Sequence, residues 1–395
     1  MAGSNEALAS VTLLLSCAVV SLVTSMAVHL YFQAATPQHD HHQATRAKSY
    51  ERSTSQSATS ANTPSTSMPI ALQTLPAHKV PAVLRLDAYV SQENQRRFEH
   101  AALFKGCTNV FVVLDAIHPY LVRFFTESMW MQSSGDAGAH VTTLKKTSTK
   151  LDNDSQWCLP KFIDPEDTAE ILVYPGVDPL TFAPDKIVNL PSSNAGSAGK
   201  RVVVLPGALI LGGTLDVSDG SVYIGRNVRV EPNVFIKGPA IIGDGSTLRS
   251  GTYIRGDVVI GRDVVLRGEL KNALVLDKAE LCHPGYCGDS ICGFKSHFGN
   301  QVTTANLNLF SSVNLTIDVD GQRYDTGRRK IGVVLGDRSQ LGCSVVTDPC
   351  TLLLTNTVVY PLSRLRKDIY GPNQIIKNKP MEHGVLELVP LRSVS

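Results

Sequence analysis

Aliphatic residues recur every six positions through the C-terminal half of this chain, and that spacing limits the folds open to it more than any other feature. Ile224, Val230, Ile236, Ile242, Leu248, Ile254, Ile260 and Leu266 stand six apart, eight in succession. Two positions before each come Val222, Val228, Val234, Ala240, Ser246, Thr252, Val258 and Val264, all small or β-branched. Gly225, Gly243 and Gly261 follow the aliphatic position at every third hexad. A second run, Leu335, Leu341, Thr347, Leu353 and Val359, is preceded by Val333, Ser339, Val345, Thr351 and Thr357. Neither the helical period of 3.6 nor the strand period of 2 produces a strict six. A parallel β-helix does, with three short strands to a coil of about 18 residues, each hexad being one side and one corner. The chain is 43% hydrophobic but only 6% aromatic, which suits a column of stacked aliphatic side chains. The fold class expected is therefore all-β, with the β-helix over residues 200–362 and a tail over 363–395.

The phase slips after Leu266. Leu270 is the next aliphatic residue in phase, followed by Leu276 and Cys282, as a corner two residues short would produce. From about 303 to 330 the hexads stop, and 314–327 reads as a loop projecting from the coil. Interruptions of a regular scaffold are where function concentrates.

Outside the repeat the chain is heterogeneous. Residues 81–199 read as a mixed, α-containing region: Ser91–Phe104 as helical, 132–156 as a polar loop. Val110–Phe125 reads as an amphipathic stretch able to cap the open edge of the first coil. Arg364–Tyr370 is a short basic helix candidate. Ala7–Phe32 contains no Asp, Glu, Lys or Arg; its length of about 39 Å as a helix is enough to span a bilayer. An anchor over 1–33 is the reading taken, against a cleaved signal peptide or a buried or targeting helix. Arg46, Lys48 and Arg52 follow it and place the rest in the cytosol. Residues 34–80, rich in Ser, Thr, His and Pro, read as a disordered linker, with His39, His41 and His42 as solvated tract rather than metal site. Asn153 and Asn314 begin Asn-x-Ser/Thr sites that matter only in the opposite orientation.

Thirty-seven Lys+Arg balance 35 Asp+Glu, a net charge of +2, which argues against nucleic acid as partner. Eight cysteines without a CxxC pair are neither a disulfide scaffold nor a known zinc pattern. Cys282, Cys287 and Cys292, five apart, read as small core fillers. No metal is expected.

Three lines flank the interruption: GELKNALV (268–275), CHPGYCGDSICGFKSHFGNQVTTAN (282–306) and YDTGRRKIGVVLGD (324–337). They resemble the left-handed β-helix domain of the bifunctional N-acetylglucosamine-1-phosphate uridylyltransferase/glucosamine-1-phosphate acetyltransferase family. That domain carries E-x-K, His-x-x-Tyr-x-Gly-Asp, T-x-x-N and a Lys six residues before Gly-Asp. The chain is similar in more detail to stand-alone UDP-N-acetylglucosamine diphosphorylase-like β-helix proteins, through residues 100–121, 236–261 and 326–343. The resemblance implies a left-handed, trimeric β-helix that uses acetyl-CoA to acetylate an amino-sugar phosphate or nucleotide-linked amino sugar. It implies His283 as general base, Arg255 and Lys271 on the sugar phosphate, and Tyr286, His297 and Asn306 on the sugar. Lys330 and Cys343 would lie near the acyl carrier. The chemistry is sensible: a thioester attacked by an amine needs a base titrating near neutrality, and a phosphate needs Arg or Lys.

The chain also departs from that pattern. The interval from Arg255 to Lys271 is two residues shorter, which bears on whether the two can clamp one phosphate. His297 replaces an Asn, Pro284 follows His283, Asn300-Gln301 replaces small residues, and Cys343 stands where the bifunctional enzyme has Ser. Against each role stands a structural one: His283 as a corner histidine, Arg255 and Lys271 as solvated outward residues. No GxGTRM-type loop occurs, and GALILGGTLD (207–216) reads as a turn, so nucleotidyl transfer is not expected. The rival to an acetyltransferase is a non-catalytic β-helix that binds a nucleotide sugar or scaffolds a partner enzyme at a membrane.

Overall fold

In the computed structural model the described residues are 68–133, 142–144, 161–163, 170–175, 177–190, 200–309, 312–378 and 386–390. The hexads form a parallel β-helix with three faces. One face stacks Arg201–Val204, Val222–Ile224, Ala240–Ile242 and Val258–Ile260 in parallel register. A second stacks Leu209–Ile210, Arg229–Val230, Thr247–Leu248 and Val265–Leu266. The third stacks Thr214–Asp216, Phe235–Lys237 and Tyr253–Arg255.

The eight aliphatic residues of the first run point inward, and each is at most 1% exposed. Each such side chain contributes about 1.5–3 kcal/mol relative to exposure. The small residue two positions earlier has its own reason. Ser246 Oγ donates to the Gly261 carbonyl at 2.9 Å and accepts from the Val264 amide at 3.0 Å, bridging adjacent coils. Ser339 does the same between Leu354 and Thr357.

The slip after Leu266 is sharper than the periodicity suggests. Ile242 pairs with Ile260 eighteen residues on, but Ile254 pairs with Leu270 after sixteen and Ile260 with Val275 after fifteen. The inward sequence therefore runs Leu270, Val275, Leu281, Cys287, Cys292 and Phe298. This corrects the expected Leu276 and Cys282: Leu276 packs on the outside of the coil, and Cys282 is half-buried at a corner. Three corners, not one, are short: those before Leu270, Val275 and Cys292. Cys287 and Cys292 do fill the column, with sulfurs 3.8 Å apart.

The first face has an apolar exterior as well as an apolar interior. Tyr223, Ile241, Val259, Leu274, Ile291, Val334 and Leu352, each between two inward residues, point outward yet are at most 2% exposed. They share a cluster with Phe111, Leu114, Ile117, Leu121 and Phe124 of the helix Val110–Thr126. The Asn109 side chain caps that helix, accepting from the amides of Phe111 and Val112. The helix packs along the strands Val258–Ile260, Glu269–Val275 and Tyr286–Cys292. It is thus a side covering and not the end cap expected, because the apolar surface it matches lies along a face. Within Ser91–Phe104 the helix is confined to Gln92–Arg97, followed by a 3-10 turn at Ala101–Phe104. Asp337 fastens this layer, accepting from the Ser91 amide, the Asn94 side chain and the Phe294 amide.

Several boundaries differ from expectation. Parallel strands Lys161–Ile163, Glu170–Val173 and Lys186–Val188 begin the stack ahead of residue 200. The basic segment after 363 forms strands Arg364–Leu365 and Ile369–Tyr370, which continue the coil. Leu386–Pro390 then pairs antiparallel with Gln374–Asn378. The segment 314–327 folds back instead of projecting: Thr316–Val319 and Gln322–Asp325 form a hairpin, on which Ile70–Ala71 adds a parallel strand. Ile317 of the hairpin and Leu72 and Val80 beside that strand are buried in the outer cluster, so residues 68–80 are packed and not linker. Of the 132–156 segment, Thr142–Leu144 forms a strand antiparallel to the one at Glu170–Val173. The expected anchor at 7–32, and the rest of the linker to 67, lie outside the described residues. Among the described residues no helix is long and apolar enough to cross a membrane.

Candidate functional site

Two of the short corners, those before Val275 and Cys292, create the site. Strands Glu269–Val275 and Tyr286–Cys292 run from the third face onto the first without a break. Each turns on one residue in the left-handed region, Asn272 (φ 45°) and Asp289 (φ 47°); Asp257 (φ 55°) stands at the corresponding turn of the coil before. Asn and Asp are the side-chain-bearing residues that tolerate this conformation best. The corner thus stacks three hydrogen-bonding side chains in adjacent coils.

Asp289, 6% exposed, is the hub. It accepts from Asn272 Nδ2 at 2.8 Å, Asn306 Nδ2 at 2.7 Å and Arg328 Nη2 at 3.3 Å. The Asn306 amide also lies 3.1 Å from Tyr286 Oη. Burial, then the Asp289 charge, pushes the Tyr286 phenol above its ordinary pKa. Gly288 lies beneath this ring: a Cβ there would stand 2.6 Å from Tyr286 Cζ and 2.9 Å from Asn306 Nδ2.

The insertion leaves the coil at Asn306 and returns at Ile331, whose amide donates to the Asn306 carbonyl at 3.0 Å. An antiparallel bridge from Leu307 to Lys330 holds the two ends together. Arg328 is thereby aimed inward, paired with Asp289 and, through its other nitrogen, with Asp115 of the long helix.

Around this hub lies a cleft of about 430 Å³ lined by Arg255, Lys271, Tyr286, Asn306 and Lys330 together with Asp115, His118, Asp257, Asn272, Asp289 and Arg328. Arg255 lies one residue beyond the paired Ile254, and Lys271 one beyond its partner Leu270. The shorter interval therefore leaves them in one row, since the coil itself contracts. Gly268 (φ 110°) permits that contraction, with space for no side chain: a Cβ there would stand 2.7 Å from the Gly285 carbonyl oxygen. Arg255 pairs with Glu269 at 2.6 Å, which raises the guanidinium pKa further, chiefly through the hydrogen bond. The amines of Lys271 and Lys330 have no ion pair or hydrogen bond among the described residues. They are the cleft's free cations.

His118, on the helix, places Nδ1 2.6 Å from Asp257 Oδ1 across the same cleft. The other expected residues are elsewhere. His283 is exposed at the corner between Glu280–Leu281 and Tyr286–Cys292. Cys343, also exposed, occupies the same corner row; Asn300, of the intervening coil, accepts from the Ser344 amide. His297 faces out from the second face, 3.5 Å from Glu280. So the structure gathers Arg255, Lys271, Tyr286, Asn306 and Lys330, and leaves His283, His297 and Cys343 outside.

Residues 221–256 match the family described as bacterial transferase hexapeptide (six repeats). That stretch of the coil thus carries the hexapeptide repeat. The chain is 30% identical over 174 residues to a bifunctional sugar-1-phosphate nucleotidylyltransferase/acetyltransferase of Sulfurisphaera tokodaii, covering 39% of this chain and 43% of that protein. The bifunctional protein GlmU of Methanococcus vannielii is 32% identical over 109 residues, 28% of this chain and 26% of its own length. The uncharacterized acetyltransferase YaiX of Escherichia coli O6:K15:H31 is 30% identical over 153 residues, 37% of this chain and 64% of its own. The chain thus spans less than two thirds of each of these relatives.

Within this cleft, sequence reasoning missed His118, Asp257, Asn272, Asp289 and Arg328. Asn272, Asp289 and Arg328 stood inside the three segments flanking the interruption and were legible there. His118 had a weaker signal: it follows the apolar Leu114 and Ile117 on the polar flank of the helix, a position open to many roles.

Proposed function

We propose that this hexapeptide-repeat protein is an acyl-CoA-dependent acetyltransferase acting on an amino-sugar phosphate or a nucleotide-linked amino sugar. One observation carries the reading: Arg255, Lys271, Tyr286, Asn306 and Lys330, from four separate segments, line one cleft. Its two free amines suit a phosphate, which needs cations not already neutralised. Tyr286 and Asn306, already joined, offer a flat surface and amide edge to a sugar ring. Acetyl-CoA is the donor, with Lys330 beside it. In keeping with the resemblance, the β-helix is left-handed and the assembly a homotrimer, where His283, His297 and Cys343 would face a neighbouring chain.

The second reading is a non-catalytic β-helix that binds the same sugar phosphate or scaffolds a partner enzyme. It is favoured by the position of His283 outside the cleft. The two separate on one assay. Full-length protein is mixed with acetyl-CoA and a panel of amino-sugar phosphates, and free thiol is followed. Release that requires an acceptor and falls on Lys271→Ala supports the enzyme. Binding of an acceptor without release, or neither, supports the second reading.

A further inference from the structure

The cleft carries a histidine that the resemblance does not assign. His118 comes from the covering helix and not from the coil, and its imidazole is half exposed toward the cleft, with 53% of the side chain accessible. Its Nδ1 is held by Asp257 Oδ1 at 2.6 Å. Asp257 is itself fixed, since it occupies the left-handed corner turn and its carbonyl accepts from the Ala273 amide at 3.0 Å. A carboxylate on Nδ1 keeps the proton there and leaves Nε2 as the free lone pair, the arrangement that makes an imidazole a directed base. The groups facing it are Asp115 on its own helix, Arg255 and Lys271 from the coil, and Arg328 and Lys330 from the insertion. Arg328 is neutralised by Asp115 and Asp289, and Arg255 by Glu269. The free amine of Lys271 would seat the anionic end of an acceptor beside this base, and that of Lys330 the donor.

We infer that His118, oriented by Asp257, is the base that deprotonates the acceptor in this cleft, supplied in cis by the covering helix. The inference rests on the acetyltransferase reading. In the step, His118 Nε2 takes a proton from the acceptor amine as its nitrogen attacks the thioester carbonyl of acetyl-CoA. The new C–N bond forms, the C–S bond breaks, and the departing thiolate of CoA receives the proton from the imidazolium. Asp257 is a positioning residue and touches no substrate.

The test measures kcat and KM of full-length protein with acetyl-CoA and the best acceptor from the panel. His118→Ala and His118→Gln are expected to lower kcat at least ~100-fold with KM within ~3-fold, the range for loss of a positioned base. Added imidazole restores part of the activity of His118→Ala, which it would not do for a structural loss. Asp257→Asn, which keeps a residue suited to the left-handed turn, lowers kcat ~10-fold or more at unchanged KM. Wild-type kcat in both His118 variants, or a rise in KM alone, overturns the inference while leaving the acetyltransferase reading intact. A wild-type protein that turns over no acceptor overturns that reading, and the dyad's role with it.

Discussion

The Asn306 side-chain amide reaches both Asp289 Oδ2, at 2.7 Å, and Tyr286 Oη, at 3.1 Å. One residue therefore ties the buried carboxylate of the corner to the aromatic wall of the cleft, and does so where the insertion departs from the coil. Removing it strands Asp289 with one fewer donor in a buried setting. Asn306→Ala is expected to destabilise the fold by about 1–3 kcal/mol and to loosen Tyr286. Chemical denaturation reads the first effect and acceptor affinity the second; an unchanged midpoint would mean that Asn272 and Arg328 suffice for Asp289.

Gly288 offers a gentler probe of the same wall. The atoms that an added Cβ would meet belong to the outer part of the Tyr286 ring and the end of Asn306, and both can move. Gly288→Ala is thus expected to weaken acceptor binding by about 5-fold, the loss of about one hydrogen bond, with little change in melting temperature. A calorimetric titration with a sugar phosphate checks it.

Lys271 and Lys330 are expected to act as point charges on an anion. Lys271→Gln should raise the Kd for a sugar phosphate, and Lys330→Gln that for acetyl-CoA, each by about 10-fold or more. The loss should shrink as salt rises, since screening weakens the wild-type interaction. Equal affinity of variant and wild type at low salt would place the phosphate elsewhere.

His100 gives the covering layer an acid limit. It is 1% exposed, hydrogen-bonded to Tyr120 Oη at 2.8 Å, and lowered to about 3 by burial and, secondarily, by the Arg262 charge. The unfolded chain binds its proton near pH 6.5 and the folded chain does not. Stability therefore falls as pH drops from about 6.5 toward 3, by up to about 1.4 kcal/mol per pH unit from this group. Denaturation of wild type and His100→Gln across that range checks it: the variant should have the shallower slope, and equal slopes would exclude His100 as the cause.

Leu274, fully buried on the outside of the coil, tests whether layer and coil are one cooperative unit. Leu274→Ala is expected to cost about 2–5 kcal/mol. Hydrogen exchange should show the loss first in Val110–Thr126 while the column Ile254, Ile260, Leu266 stays protected.

The coil was legible because its physics is one-dimensional: each hexad repeats the same inward aliphatic residue, so eight of them announce the fold. The contraction was harder to read. Leu276 and Val275 are adjacent and equally aliphatic, and only the pairing of Ile260 with Val275 decides which points inward. The covering helix was recognised as amphipathic, but an apolar helix face does not say which apolar surface it meets. That surface is the outward middle residue of each strand on one face, a position the hexad rule ignores. Motif residues of the cleft were legible because they cluster in sequence around the interruption. His118 and Asp257 were not, being 139 positions apart and joined only by the packing of helix on coil.

A three-sided prism with one side clothed by its own helices has two left for neighbours. Closed rings of identical subunits are built head to tail, each member giving one surface and receiving on another. Among the described residues two sides carry no such layer, so in the proposed trimer the covering layer would decide which sides meet and leave the corner cleft beside each joint.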